Sequence, residues 1–287
     1  MIAEEKMSCH LCGMKKLLSL AAMLAIFLAA CNGSSTAPSN TANADSVVKP
    51  DITEADASYR IDTATAISFV AYDASRKGPL PVVLVIPEWW GLTDYPKMRA
   101  RELAKLGYFA MAVDMYGNRK VASGPDEADK LATPFHSDTA LVKRTLMAAI
   151  NKIRSYRQAD ASRMAMIGYC FGGTMSLFAA RMGLPLKGVV SFHGSLNGTA
   201  GKTSIPILVC HGEADKYVSP QDVAAWRKTM DSLGVKYTFK AYPGATHAFT
   251  NPQATENGKK FHMPIEYNAA ADTASWNEMK AFLGKVL

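Results

Sequence analysis

Two hydrophobic rhythms alternate along the chain. Pro81-Val82-Val83-Leu84-Val85-Ile86 is a continuous β-branched run, as expected for a central strand covered on both faces. Residues 65–72 alternate apolar and polar positions and predict an early antiparallel strand. Residues 108–114, 163–167, 187–192, 205–210 and 235–242 read as further strands. Helical periodicity fills the intervals. Asp94 opens a helix with Ala100, Leu103 and Ala104 on one face, and Gly107 lies past its end. In residues 138–153, Leu141, Val142, Thr145, Leu146, Ala149, Ile150 and Ile153 share one side. A helix is predicted over 174–182. Ser219-Pro220-Gln221-Asp222 starts another, whose apolar face is Val223, Trp226, Met230 and Leu233, with Gly234 as its stop. Residues 269–286 form the closing helix. The polar stretch 115–134 is expected to hold a short helix around 126–131. Strands alternating with helices imply an α/β fold with one mostly parallel sheet, covered by helices on both faces over residues 59–287.

The first part of the chain follows a different pattern. Lys15 and Lys16 precede an apolar run, residues 17–30, that ends in small residues, the pattern of a secretory signal peptide over residues 1–30. The run is too short for a membrane-spanning helix. Leu28-Ala29-Ala30-Cys31 resembles the bacterial lipobox, which implies cleavage before Cys31 and lipidation of its sulfur. Asn32 in the next position suggests an outer-membrane lipoprotein, held at the cell envelope and facing the periplasm or exterior. An ordinary cleaved signal is the alternative. Residues 31–58 read as a flexible tether, rich in Ser, Thr, Ala, Asn and Pro. Cys9 and Cys12 flank His10, but no second ligand pair stands near them, which argues against zinc. A misassigned upstream start would account for those residues.

Composition narrows the function. The 287 residues are 48% hydrophobic and 20% charged, enough for one large core. The formal charge of +7 is scattered and forms no basic stripe, so no nucleic-acid partner is expected. Beyond the signal and Cys31, the cysteines are Cys170 and Cys210, which do not make a disulfide framework. Cys210 ends an apolar strand and is expected to be buried and inert. No histidine pair has ligand spacing, so no metal is expected.

The chemistry centres on Gly168-Tyr169-Cys170-Phe171-Gly172-Gly173, between a predicted strand and a predicted helix. This is the frame of a nucleophile elbow with sulfur in the nucleophile's place. Gly168 and Gly172 remove side chains that would collide where strand and helix approach. A helix N-terminus favours the thiolate of Cys170. Alone, the hexapeptide is equally compatible with a free core cysteine. His211-Gly212-Glu213-Ala214-Asp215 and Pro243-Gly244-Ala245-Thr246-His247-Ala248-Phe249 each follow a predicted strand. Cys170, Asp215 and His247 therefore occur in the order nucleophile, acid, base, which is that of α/β-hydrolases. His247 would exchange the proton, and Asp215 would fix its tautomer. Among the other histidines, His193 is expected to line the pocket and His211 to support its turn. His136 and His262 are lesser candidates.

These pieces, with Pro87-Glu88-Trp89-Trp90-Gly91, resemble the dienelactone hydrolase family over residues 60–287. The resemblance implies an α/β-hydrolase fold and a cysteine-dependent esterase or lactonase without a cofactor. It gives Glu88 a catalytic role: its carboxylate contacts the resting thiol and helps form the thiolate once substrate binds. The fold's logic assigns the backbone N–H groups of Phe171 and Trp89 to an oxyanion hole, with Trp90 on the pocket's apolar wall. The expected course is acyl transfer to Cys170, then hydrolysis of the thioester. One departure stands out: where the resemblance places a carboxylate-holding arginine, four residues after the histidine, this chain has Asn251. The expected substrate is therefore a small-molecule ester, lactone or thioester, with membrane contact through the lipid anchor only. A non-catalytic envelope lipoprotein using the fold as a binding module is the alternative, against which the complete set of site residues argues. Thiol-redox exchange lacks a resolving cysteine. Oligomeric state stays open.

Overall fold

The computed structural model describes residues 49–287. The expected signal peptide, Cys31 and the tether up to residue 48 lie outside the described residues. The described chain starts with a hairpin, β1 (Ile52–Ile61) and β2 (Ala64–Asp73). The β-branched run then forms β3 (Leu80–Ile86), and every residue from Val82 to Ile86 is buried. The sheet is completed by β4 (Phe109–Ala112), β5 (Ala159–Tyr169), β6 (Val189–Phe192), β7 (Ile207–Gly212) and β8 (Tyr237–Tyr242). The eight strands run in the order β1-β2-β4-β3-β5-β6-β7-β8. From β4 to β8 every pairing is parallel, and the hairpin joins antiparallel at the β4 edge. This is the α/β-hydrolase arrangement expected from the alternation of elements.

The period of two along the strands divides the core. Val82, Leu84, Met164 and Met166 face one side, and Val83, Val85, Ala165 and Ile167 the other. The first side packs on α2 (Pro125–Ser137), α3 (Thr139–Ile153), α4 (Phe171–Arg181) and α5 (Pro220–Ser232), through residues such as Phe135, Leu146, Phe178 and Trp226. The second packs on α1 (Asp94–Lys105) and α7 (Ala269–Val286), through Leu103, Met279 and Leu283. Parallel strands buried on both faces explain why their sequences read as apolar runs rather than alternations.

Four details differ from expectation. The folded region starts at β1, inside the segment read as tether, so its boundary at residue 59 moves back. That strand exposes most of one face and buries only Ala57 and Ile61, which makes its sequence resemble a polar linker. The helix near residue 126 extends to Ser137 and continues through Pro134. The helix after the elbow begins at Phe171, directly after the nucleophile candidate, rather than at 174. A further short helix, α6 (Ala254–Phe261), follows the His247 loop. The expected start of α5 forms as a reciprocal cap: Ser219 Oγ accepts from the Asp222 N–H (3.1 Å), and Asp222 Oδ2 accepts from the Ser219 N–H (3.0 Å).

Candidate active site

Parallel strands deliver their C-terminal ends to one rim of the sheet, and Cys170, Asp215 and His247 all sit just past such ends. Cys170 follows β5 with φ +54° and ψ −116°, a backbone state that L-residues rarely adopt. The glycines around it let that turn exist. A Cβ on Gly168 would strike the backbone of Gly172, and one on Gly172 would strike the carbonyl of Ile86 at the end of β3. The turn leaves Cys170 half-buried, at the N-terminus of α4.

Asp215 lies in the turn after β7, and His247 in the loop after β8. Backbone bonds join these two loops: the Glu213 N–H donates to the Tyr242 carbonyl (3.1 Å) and the Ala214 N–H to the Ala245 carbonyl (2.9 Å). Gly212 permits the approach, because a Cβ there would meet the carbonyls of Ala245 and Thr246. The result is a 2.8 Å hydrogen bond between His247 Nδ1 and Asp215 Oδ2. A carboxylate only accepts, so Nδ1 carries the proton and Nε2 is left for the sulfur. The other Asp215 oxygen accepts from the Tyr217 N–H (2.8 Å), which fixes the carboxylate's orientation. Burial alone would push His247 down. The charge of the Cys170 sulfur, the hydrogen bond to Asp215 and the Asp215 charge overcome burial and hold it well above its ordinary value.

Glu88, in the loop after β3, is 3% exposed. Burial pushes its carboxyl up to about 7, against the lowering effects of the Asn251 hydrogen bond and of the charges on His247 and Arg99. Its hydrogen bond comes from Asn251 Nδ2, at 2.6 Å. This differs from the thiol contact that the resemblance implied for the resting state. The position expected to hold a clamping arginine instead carries an amide that holds Glu88, and its own Oδ1 accepts from the Gln253 N–H (2.9 Å).

Cys170 opens into a cavity of about 200 Å³. Glu88, Trp89, Trp90, Phe171 and His247 line it as well, so these expected residues converge. The N–H groups of Trp89 and Phe171 have no acceptor among the described residues. His193 does not converge with them. It is 1% exposed and lies beneath the elbow, outside the cavity lining, which corrects the expectation that it lines the pocket. Its backbone takes φ +41°, and its Nδ1 accepts the Cys170 N–H at 3.0 Å. The ring is therefore neutral and protonated on Nε2, which donates to Thr250 Oγ1 at 2.7 Å. Burial and the charge of nearby His247 hold it well below its usual value, in agreement with that tautomer. Thr250 Oγ1 also accepts from the Tyr95 hydroxyl (2.7 Å), so the elbow stands on a buried polar column.

His211 packs its ring against Phe239 (5.7 Å between centroids), in keeping with a supporting role. His262 caps α6 in a left-handed conformation, away from the cavity lining. His136, a lesser candidate, does reach the cavity, at its exposed rim with Asp129. Sequence reasoning missed Tyr217, whose ring meets His247 edge-on at 5.1 Å, and Met263 and Ile265 on the far wall. Tyr217 lies two residues after Asp215, a local signal that was available. Nothing local marks Met263 or Ile265, which arrive through the fold of α6 and the segment after it.

Comparison with known proteins places this geometry in context. A family model described as the dienelactone hydrolase family matches residues 69–287. Protein usf of Aquifex pyrophilus is 30% identical over 75% of this chain and 93% of its own length. A candidate carboxymethylenebutenolidase of Aquifex aeolicus is 33% identical over 63% of this chain and 81% of its own. The crystal structure of a dienelactone hydrolase-like promiscuous phosphotriesterase from metagenomic libraries superposes with a TM-score of 0.76 at 32% identity, covering 82% of this chain and 98% of that one.

Proposed function

Because the chain belongs to the dienelactone hydrolase family, we propose that it hydrolyses small carboxylic esters or lactones through Cys170, His247 and Asp215. The observation that supports this reading is the 2.8 Å hydrogen bond between His247 Nδ1 and Asp215 Oδ2 beside a cavity that His247 lines together with Cys170, which sits on a strained elbow. Relatives named as carboxymethylenebutenolidases support the reaction class, hydrolysis of an ester or lactone bond.

In the proposed course, His247 Nε2 holds the proton given up by Cys170, and the thiolate Sγ attacks the carbonyl carbon. The oxyanion sits against the N–H groups of Phe171 and Trp89, which have no acceptor among the described residues. His247 then protonates the departing oxygen as the C–O bond breaks, leaving a thioester on Cys170. Water adds to the thioester with His247 as base, and the thiolate leaves. Asp215 holds the imidazole in the tautomer that presents Nε2. Glu88 acts at the same cavity, and its ionisation adjusts the local charge that thiolate formation must meet. Lipidation at Cys31 would hold this activity at the cell envelope.

Turnover of p-nitrophenyl acetate and of a dienelactone by wild type and Cys170→Ala tests the reading. The variant should lose at least about a thousandfold in kcat/KM. Equal inactivity of both proteins over a broad ester and lactone panel would favour a binding role instead. Fatty-acid labelling of the full chain beside Cys31→Ala tests the anchor; equal labelling rejects it.

A further inference from the structure

We infer that the cavity at Cys170 admits uncharged esters and lactones and turns away those that carry a carboxylate. This rests on the proposed acyl transfer to Cys170 and names the class of compound it acts on. The charges around the cavity argue for it. Glu88 lines it from a buried position and Asp129, on α2, from its exposed rim. Among the described residues, no lysine or arginine lines it. Its other titratable side chains are Cys170, His136, Tyr217 and His247. The charge of His247 is matched by Asp215 and the sulfur. His136 stands at the rim, where burial lowers it and Asp129 opposes that lowering. Much of the remaining wall is apolar: Trp89, Trp90, Phe171, Met263 and Ile265.

Two cations on neighbouring elements are committed elsewhere. Arg99 weakly favours ionised Glu88, but its own donors go to Asp272, to Glu102 (2.9 Å) and to the Thr250 carbonyl (2.9 Å). Lys260 lines a separate cavity of about 370 Å³ that shares Trp90, and its ammonium lies 4.8 Å from the centre of the Phe261 ring. Asn251 supports Glu88 with an amide and supplies no charge to neutralise it. An entering carboxylate would shed its water, meet two like charges and find no cationic partner. The chain's formal charge of +7 does not offset this. It is scattered over the surface, and salt screens it beyond about 8 Å at physiological ionic strength. Neutral substrates escape these terms and keep the apolar contacts. Since Glu88 titrates at about 7, the selection should be sharper at pH 8 than at pH 6.

A pair of maleimides that differ only in remote charge tests this without requiring turnover: N-(4-carboxyphenyl)maleimide and its neutral carboxamide. The full chain is treated with each at pH 8, and addition to the Cys170 peptide is followed by mass spectrometry. Each rate is divided by that of the same reagent with 2-mercaptoethanol. The normalised rate should be at least about tenfold higher for the carboxamide, and Asp129→Asn should narrow that ratio about threefold. Equal or inverted rates overturn the inference. Steady-state turnover of 4-acetoxybenzamide and 4-acetoxybenzoate forms the second arm. Equal kcat/KM for the two, after correction for alkaline hydrolysis, also overturns it. If the maleimide ratio holds and neither acetate is turned over, charge selection stands and the esterase reading falls.

Discussion

Asn251, Glu88 and His193 show how much of the site depends on single buried groups. Glu88 rests on one 2.6 Å hydrogen bond from Asn251, yet burial dominates its titration. The sign of the stability effect follows. With its folded value raised to about 7 above the ordinary 4.5, the folded state holds the proton more tightly. That contribution is fully present below the unfolded value and is lost as pH rises through 7. Glu88→Gln should therefore match wild type near pH 5 and exceed it above pH 7 by about 2–4 kcal/mol, read from urea unfolding at each pH. The same variant should lose activity, which would separate the residue's role in chemistry from its cost to the fold. Thr250 is a second test. Thr250→Val removes the acceptor shared by the His193 Nε2–H and the Tyr95 hydroxyl, leaving two buried donors unpaired. A loss of about 2 kcal/mol or more is expected in thermal or urea unfolding. At this scale Cys170, Asp215 and His247 were legible because chain order and strand ends mark them. His193 was misplaced because a positive φ turns its ring under the elbow, and no local sequence pattern reports that rotation.

Between residues and the whole, each element is defined by how it starts and what it approaches. The reciprocal cap of Ser219 and Asp222 holds the first turn of α5, and Ser219→Ala should cost about 1 kcal/mol in a denaturant titration. The elbow is far less forgiving. An added methyl at Gly168 meets the backbone of Gly172 and lies 2.6 Å from Ser176 Oγ. Neither backbone can move without shifting β5 or α4, so Gly168→Ala should destabilise by more than about 3 kcal/mol, measured by thermal unfolding. Elements covered on both faces were the easiest to read, as with β3, because burial leaves an unbroken apolar run. The strand β1 was missed for the opposite reason. At the sheet's edge, with residues 54–56 exposed, it needs few apolar positions, and acidic and small residues suffice. The helix α6 is only eight residues long and carries Gly258 within it, so it offers too few positions and too poor a helix former to mark it in the sequence.

Across the whole molecule, a buried cation joins parts that no local signal connects. Arg99 on α1, 4% exposed, donates to Asp272 on α7 and to the Thr250 carbonyl in the loop after β8. Removing one member strands the other's charge, so Asp272→Ala should cost about 3–5 kcal/mol in denaturant unfolding. Thr250 also supports His193, so the same variant should depress turnover although Asp272 lies outside the cavity lining. The sheet order and the rim that gathers the site follow from parallel strands joined by helices, which the alternation of elements made readable. The far wall formed by Met263 and Ile265 depends on tertiary packing alone, and so does the Arg99 cluster.

The backbone at Cys170 sets a limit on the whole scaffold. Its φ of +54° belongs to glycine's territory, and any β-carbon there keeps the main chain under tension. Replacing sulfur by hydrogen, as in Cys170→Ala, leaves that tension in place, whereas Cys170→Gly releases it. The glycine variant should melt higher than the alanine variant, contrary to the usual ranking of these two residues. A protein of this design gives up thermal endurance in order to present a reactive atom, and an attempt to harden it at this turn would disarm it.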